Sequence, residues 1–188
     1  MSGLAWRKSG WLLALMPLAL FGCASVSPSV RLPADAVQAF ALQGRASVHY
    51  GVESLSGQLD WQAGATSDEV LLSSPLGQGI VGIERHEGSV SLIRPGQPTV
   101  TAESVEMLTQ SELGFRLPLS GLRYWVQARP DPARANRVRL NAAGGVEQIA
   151  QDGWVIDYLE FHGNHPRKIH ISREDLEIRL VIDQWRTN

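Results

Sequence analysis

Cysteine occurs once in these 188 residues, and lysine only twice, as Lys8 and Lys168. A lone cysteine excludes an intrachain disulfide, so the core alone has to hold the fold. With so few lysines there is no phosphate loop of the Gly-x-x-x-x-Gly-Lys type, and nucleotide hydrolysis by that route is excluded. No Gly-x-Ser-x-Gly elbow and no His-Glu-x-x-His occurs either. Basic residues number 17 against 19 acidic ones. A nucleic-acid domain normally carries a basic surplus, so no nucleic-acid partner is expected. Nowhere is there a run of about 20 apolar residues, the length a membrane-spanning helix needs.

The longest apolar run is Trp11–Phe21, interrupted by Pro17 and preceded by the basic pair Arg7 and Lys8. A basic stretch, a short apolar segment and then Gly22-Cys23 form the grammar of a lipoprotein export signal. Residues 1–22 read as the cleaved signal, and Cys23 as the thiol that accepts diacylglycerol and becomes the acylated N-terminus. Phe21 is bulkier than usual just before that site. Residues 23–37 read as the lipidated end and a tether, because Ala24–Val30 is small, polar and broken by Pro28. Ala24 stands where aspartate would favour inner-membrane retention, so outer-membrane delivery, facing the periplasm, is expected. Cleavage leaves residues 23–188 with 15 basic residues against 19 acidic, a net charge of −4, and the folded domain is assigned to residues 38–188.

That domain reads as mainly β. Leu55, Gly57, Leu59 and Trp61 alternate with polar residues, as do Leu176, Ile178, Leu180 and Ile182. Asp152-Gly153 lies between Val146–Gln151 and Trp154–Phe161, which predicts a tight hairpin. His86–Ser89 and Arg94–Gln97 supply further turns. Two short helices interrupt the strands: one over Glu103–Leu113, capped by Thr101 and stopped by Gly114, and one opened by Pro118 as its first residue, with Leu119, Leu122 and Val126 on one side. Neither is long enough to stand alone, so each must lie on a curved sheet. The fold expected is an incomplete antiparallel barrel with short helices over its mouth.

Five histidines invite a metal-site reading, with His162-Gly163-Asn164-His165 the tightest group. No cysteine or acidic motif completes a site, and His165 and His170, five apart in an extended strand, should face opposite ways. No metal, no cofactor and no catalytic residue is assigned. The unusual segment is Ser73–Gly79, between probable strands Glu69–Ser73 and Ile80–Arg85. There Pro75 and Gly77 force a turn with Leu76 at its tip. From the residues alone, Leu76 either folds into the core or projects as an apolar finger that touches lipid.

Taken in order, Ser74-Pro75-Leu76-Gly77, Pro118-Leu119 with Leu122-Arg123 and Trp125, Gln151-Asp152-Gly153-Trp154 with Tyr158, and Ile178–Asp183 with Trp185 resemble the LolB family of lipoprotein receptors. The resemblance runs from about Phe40 to Trp185. It implies an unclosed barrel around a hydrophobic cavity, without enzymatic activity, which accepts acylated lipoproteins from the periplasmic carrier LolA and places them among outer-membrane phospholipids. It matches the acylated cysteine to Cys23 and the family's exposed, functionally important leucine to Leu76. Ala128 departs from the glycine expected in the helix-exit segment before Pro130. For the cavity wall, the alternating faces nominate Leu59, Trp61, Leu180 and Ile182, covered by Leu122 and Trp125. The domain is expected to act as a monomer. A different class of function, a scaffold lipoprotein that binds another envelope protein, would share the signal and the strands but would have a solid interior.

Overall fold

The computed structural model describes residues 39–187; the signal segment, Cys23 and the tether lie outside them. Eleven strands form one sheet: β1 (Phe40–Tyr50), β2 (Glu53–Ala63), β3 (Ser67–Ser73), β4 (Gly79–His86), β5 (Ser89–Ile93), β6 (Val100–Ala102), β7 (Asn136–Leu140), β8 (Val146–Gln151), β9 (Trp154–His162), β10 (His165–Arg173) and β11 (Leu176–Thr187). Their spatial order is β6-β5-β4-β3-β2-β1-β11-β10-β9-β8-β7. Every neighbouring pair is antiparallel. The two outer strands, β6 and β7, do not pair with each other, so the barrel stays open. Between them in the chain come α1 (Val105–Leu113) and α2 (Leu119–Trp125), which close over the concave face.

Alternation sets which face is inside. Leu59, Trp61 and Ala63 of β2, Ile178, Leu180 and Ile182 of β11, and Ile169 and Ile171 of β10 are all buried. The hairpin at Asp152-Gly153 forms as expected, with positive φ at both residues (53° and 79°), the geometry a two-residue turn requires. The central strand β1 was not legible from periodicity, because Gln43, Gly44 and Arg45 interrupt its apolar face. Gly44 has a packing reason: a Cβ there would lie 2.1 Å from the Val181 carbonyl oxygen, beside the bulge where β1 and β11 slip register.

Both helices begin later than the sequence suggests. Thr101 belongs to β6, paired with Ser91, and the cap of α1 is Ser104, whose hydroxyl accepts the Met107 N–H at 3.2 Å. Val105 and Leu108 are buried and Gly114 ends the helix at φ 82°. Pro118 precedes α2 as its cap instead of forming its first turn. The segment before Pro130 makes its turn with Ala128 at φ 56°, a left-handed conformation that glycine would adopt without steric cost.

The histidines of β10 have separate neighbours. Two register irregularities fall between Pro166 and Ile169 of β10. Pro166, Ile169 and Ile171 are buried, while His165 is exposed and His170 half-buried. His165 stacks on Trp185 at 5.2 Å, and His170 Nε2 lies 3.6 Å from Glu177. Among the described residues no group of three or more His, Cys, Asp or Glu side chains gathers as a metal site.

Candidate functional site

Beneath the helices lies a partly open apolar space of about 90 Å³. Its walls come from inward residues of β1–β4 and β11, and its roof from the α1–α2 connection. Leu59, Trp61, Leu122 and Leu180 line it, joined by Ala46, Val48, Leu55, Leu72, Val81 and Ile178 from the sheet and by Leu113, Phe115, Leu117 and Leu119 from the cover. Trp125 and Ile182, also nominated for this wall, pack elsewhere. The Trp125 indole N–H donates to Gln151 Oε1 at 2.9 Å and its ring lies 6.0 Å from Trp154, toward β8 and β9. Ile182 sits opposite Gly44 at the bulge, buried in the core beyond the cavity.

A space of 90 Å³ is well below the several hundred Å³ typical of ligand pockets. Admitting a hydrocarbon chain therefore requires the roof to move. The polar ties of the cover are unevenly placed. Asp68, fully buried, accepts from Arg123 of α2 at 2.8 Å, Arg85 at 2.7 Å and the Trp61 indole at 3.0 Å. Arg123 also donates to the Gly64 carbonyl at 2.5 Å, and the Tyr158 hydroxyl donates to the Trp125 carbonyl at 2.7 Å. Burial raises the Tyr158 pKa well above that of an ordinary tyrosine. At the end of α1, Arg94 pairs with Glu112. Among the described residues, Leu113–Leu117 meets the sheet through apolar side chains, since its two side-chain ties, Leu117 N–H to Thr109 Oγ1 at 2.9 Å and Gln110 Nε2 to the Gly114 carbonyl at 3.0 Å, stay within the cover. Asp68 went unnoticed in the sequence although a signal was there: it shares the inward period of β3 with Val70 and Leu72, a charge at a core position.

A larger cleft, of about 670 Å³, opens beside α1 and α2. Arg85, Arg123, Glu103, Glu106 and Asp131 stand in its walls, a mixed-charge surface unsuited to acyl chains.

In the loop between β3 and β4, Leu76 is 89% exposed and does not fold back into the core. Pro75 and Leu76 hold the centre of a turn in which the Gly77 N–H donates to the Ser74 carbonyl at 2.9 Å, with Gly77 at φ 79°. The Gln78 carbonyl accepts the Ser74 N–H at 2.7 Å, closing the loop base. Leu72 and Val81, the paired residues just inside the loop, are cavity wall, so the projecting leucine stands at one end of the apolar space.

Comparison with known proteins agrees with this architecture. The family described as Outer membrane lipoprotein LolB matches residues 38–185. An Outer-membrane lipoprotein LolB from Thiobacillus denitrificans is 48% identical over 178 residues, covering 93% of this chain and 96% of the relative. Another, from Azoarcus sp., is 37% identical over 78% of this chain and 77% of its own. Among solved structures, a LolA-superfamily protein from Nitrosomonas europaea shares the fold at a TM-score of 0.51 and 10% identity, over 85% of this chain and 89% of that one. With an unclosed sheet, a helical cover, an apolar hollow and sequence kinship along nearly its whole described length, the chain belongs to the LolB family of outer-membrane lipoproteins.

Proposed function

We propose that this protein is the outer-membrane receptor that takes acylated lipoproteins from the periplasmic carrier LolA and inserts them into the outer membrane. The observation that carries this reading is the cavity: its lining is apolar throughout, and the Leu113–Leu117 roof is held to the sheet by apolar contact. Such a roof exchanges its own side chains for acyl chains at little polar cost. Each methylene kept from water is worth about 0.8 kcal/mol, so a triacylated cargo needs continuous apolar shelter. Transfer then runs down an affinity gradient from carrier to receptor to bilayer, with no nucleotide hydrolysis and no catalytic step. Cys23, acylated, tethers the domain to the periplasmic face, and Leu76 meets the lipid during release. Leu59, Trp61, Leu122 and Leu180 form the cargo-contacting wall; Trp125 and Ile182 support it from behind.

The small resting volume favours a second reading, an anchored scaffold whose core is simply packed. A cavity-filling variant separates the two. Ala46→Leu adds three carbons to the wall. In the receptor reading it lowers the affinity for a fluorescent apolar probe about tenfold and slows acceptance of lipoprotein, the order expected for losing roughly 1–2 kcal/mol of apolar contact. In the scaffold reading the wild-type protein binds no displaceable probe, and that result would end the receptor proposal.

A further inference from the structure

The convex face of the sheet, which the receptor reading leaves unused, is not uniformly polar. Register places Leu71 of β3, Gly82 of β4 and Ile93 of β5 side by side in one cross-strand row. Leu71 is 45% exposed and Ile93 38%, both on the outer side. Between them Gly82 has no side chain, and a groove of about 580 Å³ runs here from Gly79 and Pro95 along the row to Asp60, Glu69 and Glu84 at its polar end. This row lies directly behind the Leu76 loop, whose base is the Ser73–Gly79 pair. Asp60, next in the row, is turned to Gln43 at 2.5 Å. One row farther from the loop, Glu69 and Glu84 stand opposite each other. Two like charges directly opposed are tolerable only in water.

Polarity therefore changes in steps along the strands: an exposed leucine at the tip, an apolar row, then a paired acidic row about 7 Å beyond it. We propose that Leu71 and Ile93, flanking Gly82, form with Leu76 one seating surface for a bilayer of neutral phospholipid, with Glu69 and Glu84 marking the waterline. The proposal rests on the reading of Leu76 as the lipid-touching residue and extends it from a point to a surface. A single inserted leucine leaves the tilt of the domain undefined, whereas a tip and a row behind it fix which side faces the membrane. No basic side chain lies in this row, which points to neutral lipid over an anionic headgroup.

The test uses the complete lipidated protein in phosphatidylcholine vesicles. Cys23 carries its thioether, so a cysteine introduced at Leu71, Leu76, Ile93 or Ser91 is the unique thiol for an environment-sensitive fluorophore. The expected result is a blue shift and quenching by acyl-chain nitroxide lipids at 71, 76 and 93, none at Ser91 in the acidic row, and no gain when phosphatidylglycerol is added. Quenching at 76 with 71 and 93 matching Ser91 overturns the surface while leaving the finger intact. Absence of quenching at 76 as well removes the Leu76 reading itself. Blue shifts at 71 and 93 that appear without vesicles and grow with protein concentration identify a second copy of the chain as the occupant, and overturn the proposal.

Discussion

Removing the carboxylate of Asp68 tests how the helical cover is fastened. Asp68 is fully buried and receives three side chains: Arg123 at 2.8 Å, Arg85 at 2.7 Å and the Trp61 indole at 3.0 Å. In Asp68→Ala the two arginines fare differently. Arg85 is 29% exposed and can turn to solvent, whereas Arg123, 8% exposed, is left as an uncompensated charge under α2. Removing one partner of a buried pair costs about 3–5 kcal/mol, and the released indole hydrogen bond adds about 1 kcal/mol. Against a total stability of about 5–15 kcal/mol, such a loss is a large fraction of the whole. Urea unfolding followed by tryptophan fluorescence measures it as a fall in midpoint at constant slope. The penalty arises from the stranded charge and not from lost attraction, so Asp68→Ala combined with Arg123→Met should recover at least half of it. A single-variant loss below about 1 kcal/mol, or a double variant no better than the sum of its parts, would refute the idea that this pair pins the cover.

Three further outcomes follow from the same geometry. Leu76→Glu should leave cargo acceptance unchanged and cut delivery into liposomes by an order of magnitude or more, since burying a carboxylate in lipid costs several kcal/mol; normal delivery would remove the finger. Ala128→Gly relieves a left-handed alanine at φ 56° and should raise stability by about 1 kcal/mol, read as a higher urea midpoint, whereas a loss would mean that the methyl group packs usefully. Tyr158 has its pKa raised by burial, so the folded state disfavours the phenolate. Its contribution is fully present below the unfolded pKa of about 10 and is lost as pH climbs above that value; Tyr158→Phe should lower stability by about 1 kcal/mol at neutral pH and flatten the decline above pH 10, and an unchanged alkaline slope would count against this cause.

How much was legible in the sequence depended on whether a local rule decided the structure. Period two in β2 and β11, the Asp152-Gly153 hairpin and the Gly114 stop depend on near neighbours, and they were readable. Strand β1 was not, because Gly44 is required by the Val181 carbonyl of a strand 137 positions later. The cap of α1 shifted from Thr101 to Ser104 because pairing with β5 draws Thr101 into the sheet, a tertiary contact that outweighs capping preference. The cavity was half visible: alternation identified inward residues correctly but cannot say which lie under the roof, so Trp125 and Ile182 were grouped with residues that line the space. Leu76 was undecided from its own segment, since turn chemistry places a residue at a tip without saying which way it points.

The sheet order has a consequence for assembly. The strands from the two ends of the described chain, β1 and β11, are neighbours at the seam between the sheet's two flanks. Phe40 pairs with Thr187, and nothing else joins the β2–β6 flank to the β7–β10 flank within the sheet. That pairing brings together strands far apart in the chain, so its loop-closure entropy is spent before its contacts return anything. Until it forms, the two flanks are held through α2, by Arg123 to Asp68 of β3 on one side and by Trp125 to Gln151 of β8 and Tyr158 of β9 on the other.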